Sequence, residues 1–260
     1  MTGKVTGRSP WWWIPTLYFA EGIPYFIVNN ISVTMFTKMG VPNGEMALFT
    51  SLLYLPWTLK PLWSPLVDIF RTKRWWIVMM QALVSAAFVL LALTLPSPET
   101  STQIPMSLFT FTLLLFVFAA FASATHDIAA DGFYMIALDS GKQSFFVGIR
   151  STFYRLSSIF GQGVLVVVAG VLEEKTGNIP LAWSLTIGLT AVIFSILTIY
   201  HSFALPRPAG DSAVSTDGSG SAGEFAKAFA SFFRKPGVWI AIIFMLLYRL
   251  PEAFLLKMVN

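Results

Sequence analysis

Long apolar stretches alternate with short polar ones along this sequence, and their lengths predict membrane-spanning helices. The apolar stretches cover roughly residues 11–36, 45–67, 75–95, 104–138, 145–172 and 181–205, and another begins near 239. A helix of about 20 apolar residues crosses the hydrocarbon core of a bilayer, and each stretch reaches that length. The pattern therefore predicts an all-α polytopic membrane protein whose residues 1–205 form a six-helix transmembrane bundle.

A change of composition after residue 205 marks the end of this bundle. Residues 206–223 are rich in Pro, Ala, Gly, Asp and Ser and predict a flexible cytoplasmic linker, because they cannot build a core. In residues 224–236, phenylalanines recur at helical spacing among basic residues, which predicts an amphipathic helix on an anionic membrane surface. Residues 237–260 hold the start of a seventh transmembrane helix.

The first and seventh spans share a weak internal similarity. Each contains a Trp-Ile pair, a Leu-Tyr pair and an acid together with a proline near mid-helix. Carriers built from two parallel six-helix halves show such repeats, and they bind substrate between the halves. On this interpretation the chain is a truncated twelve-helix transporter, and we expect it not to transport on its own.

The composition fits a membrane protein and excludes several kinds of site. Hydrophobic residues make up 55% of the chain and charged residues 12%, whereas soluble domains average about 25% charged residues. Without cysteine there is no disulfide, no thiolate zinc site and no thiol nucleophile. The net charge of +4 is spread over loops rather than gathered into a nucleic-acid-binding patch.

The distribution of basic residues predicts the orientation in the membrane. The loops predicted on the same side of the membrane as the N-terminus hold ten basic residues: Lys4, Arg8, Arg71, Lys73, Arg74, Lys142, Arg207, Lys227, Arg234 and Lys235. The loops on the opposite side hold two, Lys38 and Lys175. Because cytoplasmic loops carry the excess of Lys and Arg, we expect the N-terminus in the cytoplasm.

Ionisable residues inside the apolar stretches are the candidate functional residues, because such groups are costly at membrane depth and rarely lack a partner or a task. His126, Asp127 and Asp131 lie near the end of the fourth span, and Arg150 and Arg155 lie in the fifth. If these two spans pack antiparallel about the intervening turn, Asp131 lies level with Arg150 and Asp127 with Arg155. The arginines therefore either form structural ion pairs or attract an anionic ligand.

Glu21 lies in the first span beside Gly22 and Pro24, and Asn29 and Asn30 follow. Gly and Pro in a spanning helix indicate a kink, and the backbone groups that a kink frees cannot face lipid. The combination predicts a kinked helix with Glu21 facing a cavity. The alternative is a protonated Glu21 that is packed in the bundle.

Lys60 lies about two turns inside the end of the second span, among prolines at positions 56, 61 and 65. Its ammonium group either reaches the membrane interface or binds an anionic group in the cavity. The third span is apolar apart from Gln81, and it predicts packing alone.

Four motifs carry a resemblance to a known family. They are Glu21-Gly22-Ile23-Pro24, Lys60-Pro61-Leu62-Trp63-Ser64-Pro65-Leu66-Val67-Asp68 followed by Arg74, His126-Asp127-Ile128-Ala129-Ala130-Asp131-Gly132, and Tyr154-Arg155-Leu156. The second is similar to a K-x-L-W-S-P-L-x-D signature, and the third to Q-D-I-x-x-D with His126 in place of Gln. In these motifs the chain resembles AmpG-type muropeptide permeases and their acetyl-CoA transporter relatives, within the major facilitator superfamily.

The resemblance implies a proton-coupled importer of anhydromuropeptides in the inner (cytoplasmic) cell membrane. Its partners would be the bilayer, a small-molecule substrate and protons, and it would act as a monomer without enzyme activity, metal or cofactor. The substrate and proton pathway is expected to comprise Glu21, Asn29, Asn30, Lys60, Arg150, Arg155 and Gln162. The intramembrane charge network is expected to comprise His126, Asp127 and Asp131, and the cytoplasmic gating loop Asp68, Arg71 and Arg74.

The implied roles divide by chemistry. Glu21 would bind and release the coupling proton, the basic residues would attract a muramyl or peptide carboxylate, and the amides would hydrogen-bond sugar hydroxyls. Asp68 and Arg74 stand where the superfamily's loop between helices two and three pairs charges to hold one face closed.

Three other functions remain open at this point. The first is a carrier of another anionic or sugar-containing metabolite such as acetyl-CoA, and the second is a membrane sensor or scaffold without transport. The third is a membrane-embedded enzyme that uses His126, Asp127 and Asp131 as metal ligands or acid–base groups. Only two histidines occur, and His201 falls near the end of the sixth span, which argues against the enzyme.

Overall fold

The structure is a computed structural model, and its described residues are helical throughout their regular elements. It describes residues 8–41, 50–95 and 106–212, with further positions at 223, 230–231, 233–240, 243–244 and 247. Contacts divide the chain into two compact units, Met1–Ala213 and Val214–Asn260. Four helices of the described part are long and apolar enough to cross a membrane: Lys73–Thr94, Phe109–Ala137, Ser140–Thr176 and Ile179–Ala204. The prediction of an all-α polytopic membrane protein is confirmed.

The α-helices of the first unit follow the predicted spans. In the described residues they are α1 (Ile14–Phe26), α2 (Ser32–Lys38), α3 (Leu55–Leu59), α4 (Ser64–Ile69), α5 (Lys73–Thr94), α6 (Met106–Ala137), α7 (Ser140–Ser158), α8 (Val166–Thr176) and α9 (Ile179–Ala204). Short 3₁₀ turns occur at Pro10–Trp12 and Lys60–Leu62. Two π-helical turns, Ile27–Ile31 and Ile159–Leu165, join α1 to α2 and α7 to α8.

The first span is one helical run whose irregularity lies just beyond its proline. Pro24 lies within α1, where it cannot donate a backbone hydrogen bond. The backbone N–H of Ile27 donates to the carbonyls of both Ile23 and Pro24, and the π-helical turn Ile27–Ile31 begins there. Such turns are common at functional sites, and this one places an asparagine pair beside the cavity described below.

The second span is broken into three pieces rather than forming one helix. Pro56 lies in the first turn of α3, Pro61 in the Lys60–Leu62 turn and Pro65 in the first turn of α4. Proline is favoured at a helix start because the N–H that it lacks has no intrahelical partner there. Each proline therefore begins a new short element, and Lys60 lies at the junction. Positions 45–49 of the predicted span fall outside the described residues.

Side-chain caps fix where three long helices begin. Thr72, Asp139 and Asn178 accept hydrogen bonds from the backbone N–H three residues later, at 3.1, 2.9 and 2.9 Å. The bond from the Lys142 backbone holds the pKa of Asp139 below its usual range. Such caps satisfy N–H groups that the helix itself leaves without partners. The C-terminus of α8 is capped by Gly177, whose backbone is left-handed with a φ of +65°.

The apolar core of the first unit has two parts. In one, α5 packs against both α6 and α9, with Phe36, Phe88 and Phe116 fully buried. In the other, α1 packs against α7 and α6, and the rings of Trp13 and Phe133 lie 5.3 Å apart. The contact between α1 and α7 carries the polar groups discussed next.

The contact of α1 with α7 and with the π-helical turn that follows α7 depends on small residues. A Cβ atom placed on Gly22 would overlap the Ser157 hydroxyl, and one placed on Gly161 would lie 3.0 Å from the Cβ atom of Phe26. Small residues allow this close approach of helices in membranes. Glu21, next to Gly22, is thereby held against α7.

The second unit is described at few positions. The rings of Phe233 and Trp239 lie 5.4 Å apart there. The predicted amphipathic helix at 224–236 and the seventh span from 237 fall largely outside the described residues, so both stay predictions.

We predict that Gly22→Ala destabilises the protein by about 1–3 kcal/mol, the usual effect of overpacking, because the new methyl group collides with Ser157. Thermal unfolding in detergent measures this. Gly148→Ala is the matched control, since its Cβ atom meets nothing within 4 Å. Adding Ser157→Ala to Gly22→Ala removes the colliding hydroxyl and recovers part of the loss; equal melting of both glycine variants would contradict the close contact.

Candidate functional site

A cavity of about 340 Å³ lies between α1, α6 and α7, and we call it the charged cavity. Its lining residues are Tyr18, Glu21, Asp127, Asp131, Arg150, Ser151, Tyr154 and Arg155. Five of these residues were expected from the sequence as pathway or network members. Both α6 and α7 pack against α1, which brings these residues to one cavity.

Two ion pairs flank the charged cavity. Arg150 Nη2 lies 2.6 Å from Asp131 Oδ1, as the matching of depths predicted. Asp127, however, pairs with Lys60, and the expected pair of Asp127 with Arg155 is wrong. Depth matching on two helices ignored the second span, whose 3₁₀ turn carries Lys60 against α6. Among the described residues, Arg155 forms no salt bridge.

Two tyrosines hold the Arg150 guanidinium in place. Its carbon lies 4.4 Å from the centre of the Tyr18 ring and 5.1 Å from that of Tyr134. Cations are attracted to the faces of aromatic rings at such distances. The Tyr18 hydroxyl also donates a hydrogen bond to Asp131 Oδ1 at 3.2 Å. Arg150 is therefore fixed by a carboxylate and two rings together.

Among the three carboxyl groups that line the charged cavity, Glu21 is the one that forms no salt bridge within the described residues. Only 7% of its surface is exposed, and its Oε2 atom has no hydrogen-bond partner among the described residues. One oxygen each of Glu21, Asp127 and Asp131 lie within 4.8 Å of one another, a spacing at which carboxylates can share a small cation. Two of the three are balanced by Lys60 and Arg150. Glu21 is left free to accept a proton or another single positive charge.

A second cavity, of about 400 Å³, collects the predicted amide groups, and we call it the amide cavity. Asn29, Asn30 and Gln162 line it, together with Ile31, Val33, Thr34 and Val166. The two π-helical turns supply the three amides. The expected pathway residues thus fall into two groups, one charged and one neutral.

His126 lies outside the charged cavity, in a buried hydrogen-bonded chain that we call the histidine chain. Its Nε2 atom lies 2.9 Å from Gln81 Nε2, and Gln81 Oε1 lies 3.0 Å from His201 Nδ1. His201 Nε2 lies 3.0 Å from the Thr16 hydroxyl. The amide orientation makes His126 an acceptor and His201 a donor toward Gln81, so the His126 ring carries no proton on Nε2 and is neutral.

The histidine chain corrects two interpretations of the sequence. Gln81 does not serve packing alone, because it joins α6 to α9 through two imidazoles. His201 lies close to His126, because the Gln81 side chain bridges them. The structure therefore separates His126 from the carboxylates with which the sequence grouped it.

The predicted gating loop is held by several polar contacts. Lys73 Nζ lies 2.6 Å from Asp68 Oδ1, and Asp211 accepts backbone hydrogen bonds from Lys73 and Arg74 at 2.6 and 3.0 Å. Arg74 donates to the carbonyls of Ser202 and Leu205 at the end of α9, so Asp68 pairs with Lys73 rather than with Arg74. Arg71 has a left-handed φ of +61° and lies over the Trp75 ring at 5.8 Å. This loop therefore connects α4, α5 and α9.

Comparison with known proteins identifies the family. A family model described as the BT1 family matches residues 21–251. The chain belongs to the BT1 family. This BT1 family chain is also 31% identical over 194 residues to "Putative transporter AmpG 4" of Rickettsia conorii, covering 71% of the chain and 42% of that relative.

A second relative extends over more of the BT1 family chain. "Anhydromuropeptide permease" of Escherichia coli is 24% identical over 251 residues, covering 93% of the chain and 46% of the relative. The chain thus spans less than half the length of these curated relatives. Their names are those of a transporter and a permease, not of enzymes. The resemblance to AmpG-type permeases is confirmed.

Reading the sequence of this BT1 family chain missed the two tyrosines that hold Arg150 and two members of the histidine chain. Tyr18 had a usable signal, because it stands three residues before Glu21 and shares its helical face. Tyr134 stands three residues after Asp131 in the same way. Gln81 and His201 had no such signal, because they lie on different helices, 120 positions apart.

We predict that Gln81→Met destabilises this BT1 family chain by about 2–4 kcal/mol, because two buried imidazoles lose their partner and each orphaned polar group costs about 1–3 kcal/mol. Thermal unfolding in detergent is the measurement. Gln162→Met is the matched control, since Gln162 is exposed in the amide cavity. If Gln81→Met does not lower the stability, the hydrogen bonds of Gln81 do not stabilise the protein and its side chain serves only packing.

We predict that Lys60→Met destabilises the protein by about 1–3 kcal/mol, less than a fully buried pair because Lys60 is 31% exposed. Asp127→Asn added to Lys60→Met recovers most of the loss, since no uncompensated carboxylate remains. Arg155→Met has little effect on stability. If double-mutant cycles gave an interaction energy between Asp127 and Arg155 but none between Asp127 and Lys60, the pair expected from the sequence would be correct.

Proposed function

We propose that this chain supplies the bundle that binds substrate and proton in a secondary active transporter of muropeptides. Transport would be driven by the proton gradient and directed into the cytoplasm. The named relatives support the class, one as a transporter and one as a permease for anhydromuropeptide. The linings of the charged and amide cavities support binding of a solute that carries both ionised and neutral polar groups.

The observation that carries the proposal is the uncompensated carboxyl of Glu21. Moving an unpaired charge through a closed, dehydrated state is costly, whereas a neutral group crosses that state at less cost. A proton bound to Glu21 removes the unpaired charge without disturbing the two ion pairs beside it. Proton binding and the conformational change are thereby linked.

Arg155 supports binding of an anionic substrate. Lys60 and Arg150 are engaged with Asp127 and Asp131, so their charges are already balanced. Arg155 lines the same cavity and has no salt bridge within the described residues. A muramyl or peptide carboxylate bound there would form a charge-assisted pair, in which guanidinium favours bidentate geometry. Glu21 and Arg155 would then serve the proton and the anion side by side.

Polar contacts of Arg8 and Arg74 support the proposal of an inner-membrane protein with a cytoplasmic N-terminus. Arg8 donates to the carbonyl of Phe203, and Arg74 to those of Ser202 and Leu205, which gathers basic residues at one end of the bundle. Cytoplasmic faces carry such an excess. We propose that the protein functions as a monomer in this orientation.

We predict that Glu21→Gln abolishes gradient-driven accumulation of labelled anhydromuropeptide but spares exchange, because glutamine is neutral like the protonated acid and cannot release a proton. The measurement is uptake into vesicles that contain the complete transporter, with and without a proton gradient. Labelled acetyl-CoA serves as the competing substrate.

Glu174→Gln is the matched control, since that carboxyl is outside both cavities and should leave accumulation unchanged. Wild-type uptake that no proton gradient alters would overturn the coupling proposal. Accumulation and exchange that both survive in Glu21→Gln would show that another group carries the proton.

A further inference from the structure

The amide cavity contains a buried acceptor that nothing in the described protein satisfies. Asn29 is only 5% exposed, and its Nδ2 group donates to the backbone carbonyl of Tyr25 at 3.0 Å. Its Oδ1 atom has no hydrogen-bond partner among the described residues. Buried polar atoms are nearly always paired, so an orphaned acceptor at a cavity indicates that a partner arrives from outside.

The walls of the amide cavity are two π-helical turns that pack against each other. Ile27–Ile31 carries Asn29 and Asn30, and Ile159–Leu165 carries Gln162. Such turns are rare and concentrate at functional sites, where they re-aim side chains out of the regular helical ladder. Two of them meeting at one cavity is an observation independent of the orphaned acceptor.

The lining defines the chemistry of the ligand. Amide groups and the Thr34 hydroxyl alternate with Ile31, Val33 and Val166, and none of the lining residues named above is ionisable. A neutral ligand with polar edges and an apolar face fits such walls, as a pyranose ring has. The volume of about 400 Å³ lies within the range of small-molecule sites.

We propose that the amide cavity is a saccharide subsite in which a ligand hydroxyl or acetamido N–H donates a hydrogen bond to Asn29 Oδ1. The proposal rests on the proposed function and adds the way in which the substrate is recognised. One N–H of Asn29 Nδ2 is engaged with Tyr25, whereas Oδ1 has no partner at all among the described residues. The subsite therefore requires a donor from the ligand and rejects an ether or a fluorine at the same position.

The spacing of Glu21 and Asn29 along the first span indicates the length of the ligand. Glu21 and Asn29 are eight residues apart, or about 12 Å at the rise of a helix. An ionised group in the charged cavity and a sugar ring in the amide cavity can therefore belong to one elongated molecule. The substrate class is a glycan with an anionic group at one end.

The absence of native cysteine permits a direct test by site-specific labelling. Thr34→Cys places a single thiol in the amide cavity, and Ser151→Cys places one in the charged cavity. The purified chain in lipid nanodiscs is labelled with a maleimide, with N-acetylglucosamine as the probe. We expect the sugar to slow labelling of Thr34→Cys in a saturable manner and to leave Ser151→Cys unchanged.

Two further arms test the hydrogen bond itself. Permethylated N-acetylglucosamine, which keeps the ring but has no donor, should protect Thr34→Cys about tenfold less well, the usual effect of one buried hydrogen bond. Asn29→Leu in the Thr34→Cys background should lower protection to the same level. An unchanged labelling rate of Ser151→Cys with Asn29→Leu verifies that the variant is folded.

Each opposite result overturns the proposal. These results are no protection of Thr34→Cys, equal protection by the permethylated sugar, or undiminished protection after Asn29→Leu in folded protein. The assay uses a neutral sugar and no gradient, so its failure leaves proton coupling at Glu21 untouched. Conversely, gradient-independent uptake would overturn the proposed function while saccharide protection of Thr34→Cys persisted.

Discussion

Charge balance in a medium of low dielectric constant is the constraint on which this structure depends. A carboxylate or ammonium group taken out of water loses several kcal/mol of hydration, about as much as a well-placed opposite charge returns. Lys60 with Asp127 and Arg150 with Asp131 meet that condition. Glu21 and Arg155 line the same cavity and form no salt bridge among the described residues, and we propose that a proton and an anion bind there.

The packing of α1 on α7 makes this arrangement possible. Gly22 lets the helices approach beside Glu21, and Tyr18 and Tyr134 hold Arg150 against Asp131. The π-helical turns then offset both helices and open the neutral amide cavity. The two ion pairs thus lie beside Glu21, which we propose changes its protonation, and Arg155, which we propose binds an anion.

The sequence predicted those features that depend on one helix or on two consecutive helices. Span lengths followed from apolar runs, and the Asp131–Arg150 pair followed from matching depths on two consecutive helices. Prediction failed where a third element intervened, as Lys60 does at Asp127. It failed again for Gln81 and His201, because hydrogen bonds between distant helices leave no periodic trace in a sequence. The second span was predicted as one helix, yet each of its three prolines starts a separate element.

The protonation of Glu21 tests the central claim most directly. Infrared difference spectra of the purified chain in nanodiscs, recorded on changing the pH, report the carbonyl stretch of any carboxyl that gains or loses a proton. The account predicts a titrating carboxyl band that disappears in the Glu21→Gln variant and persists in Glu174→Gln. A spectrum with no titrating band assignable to Glu21 would contradict it.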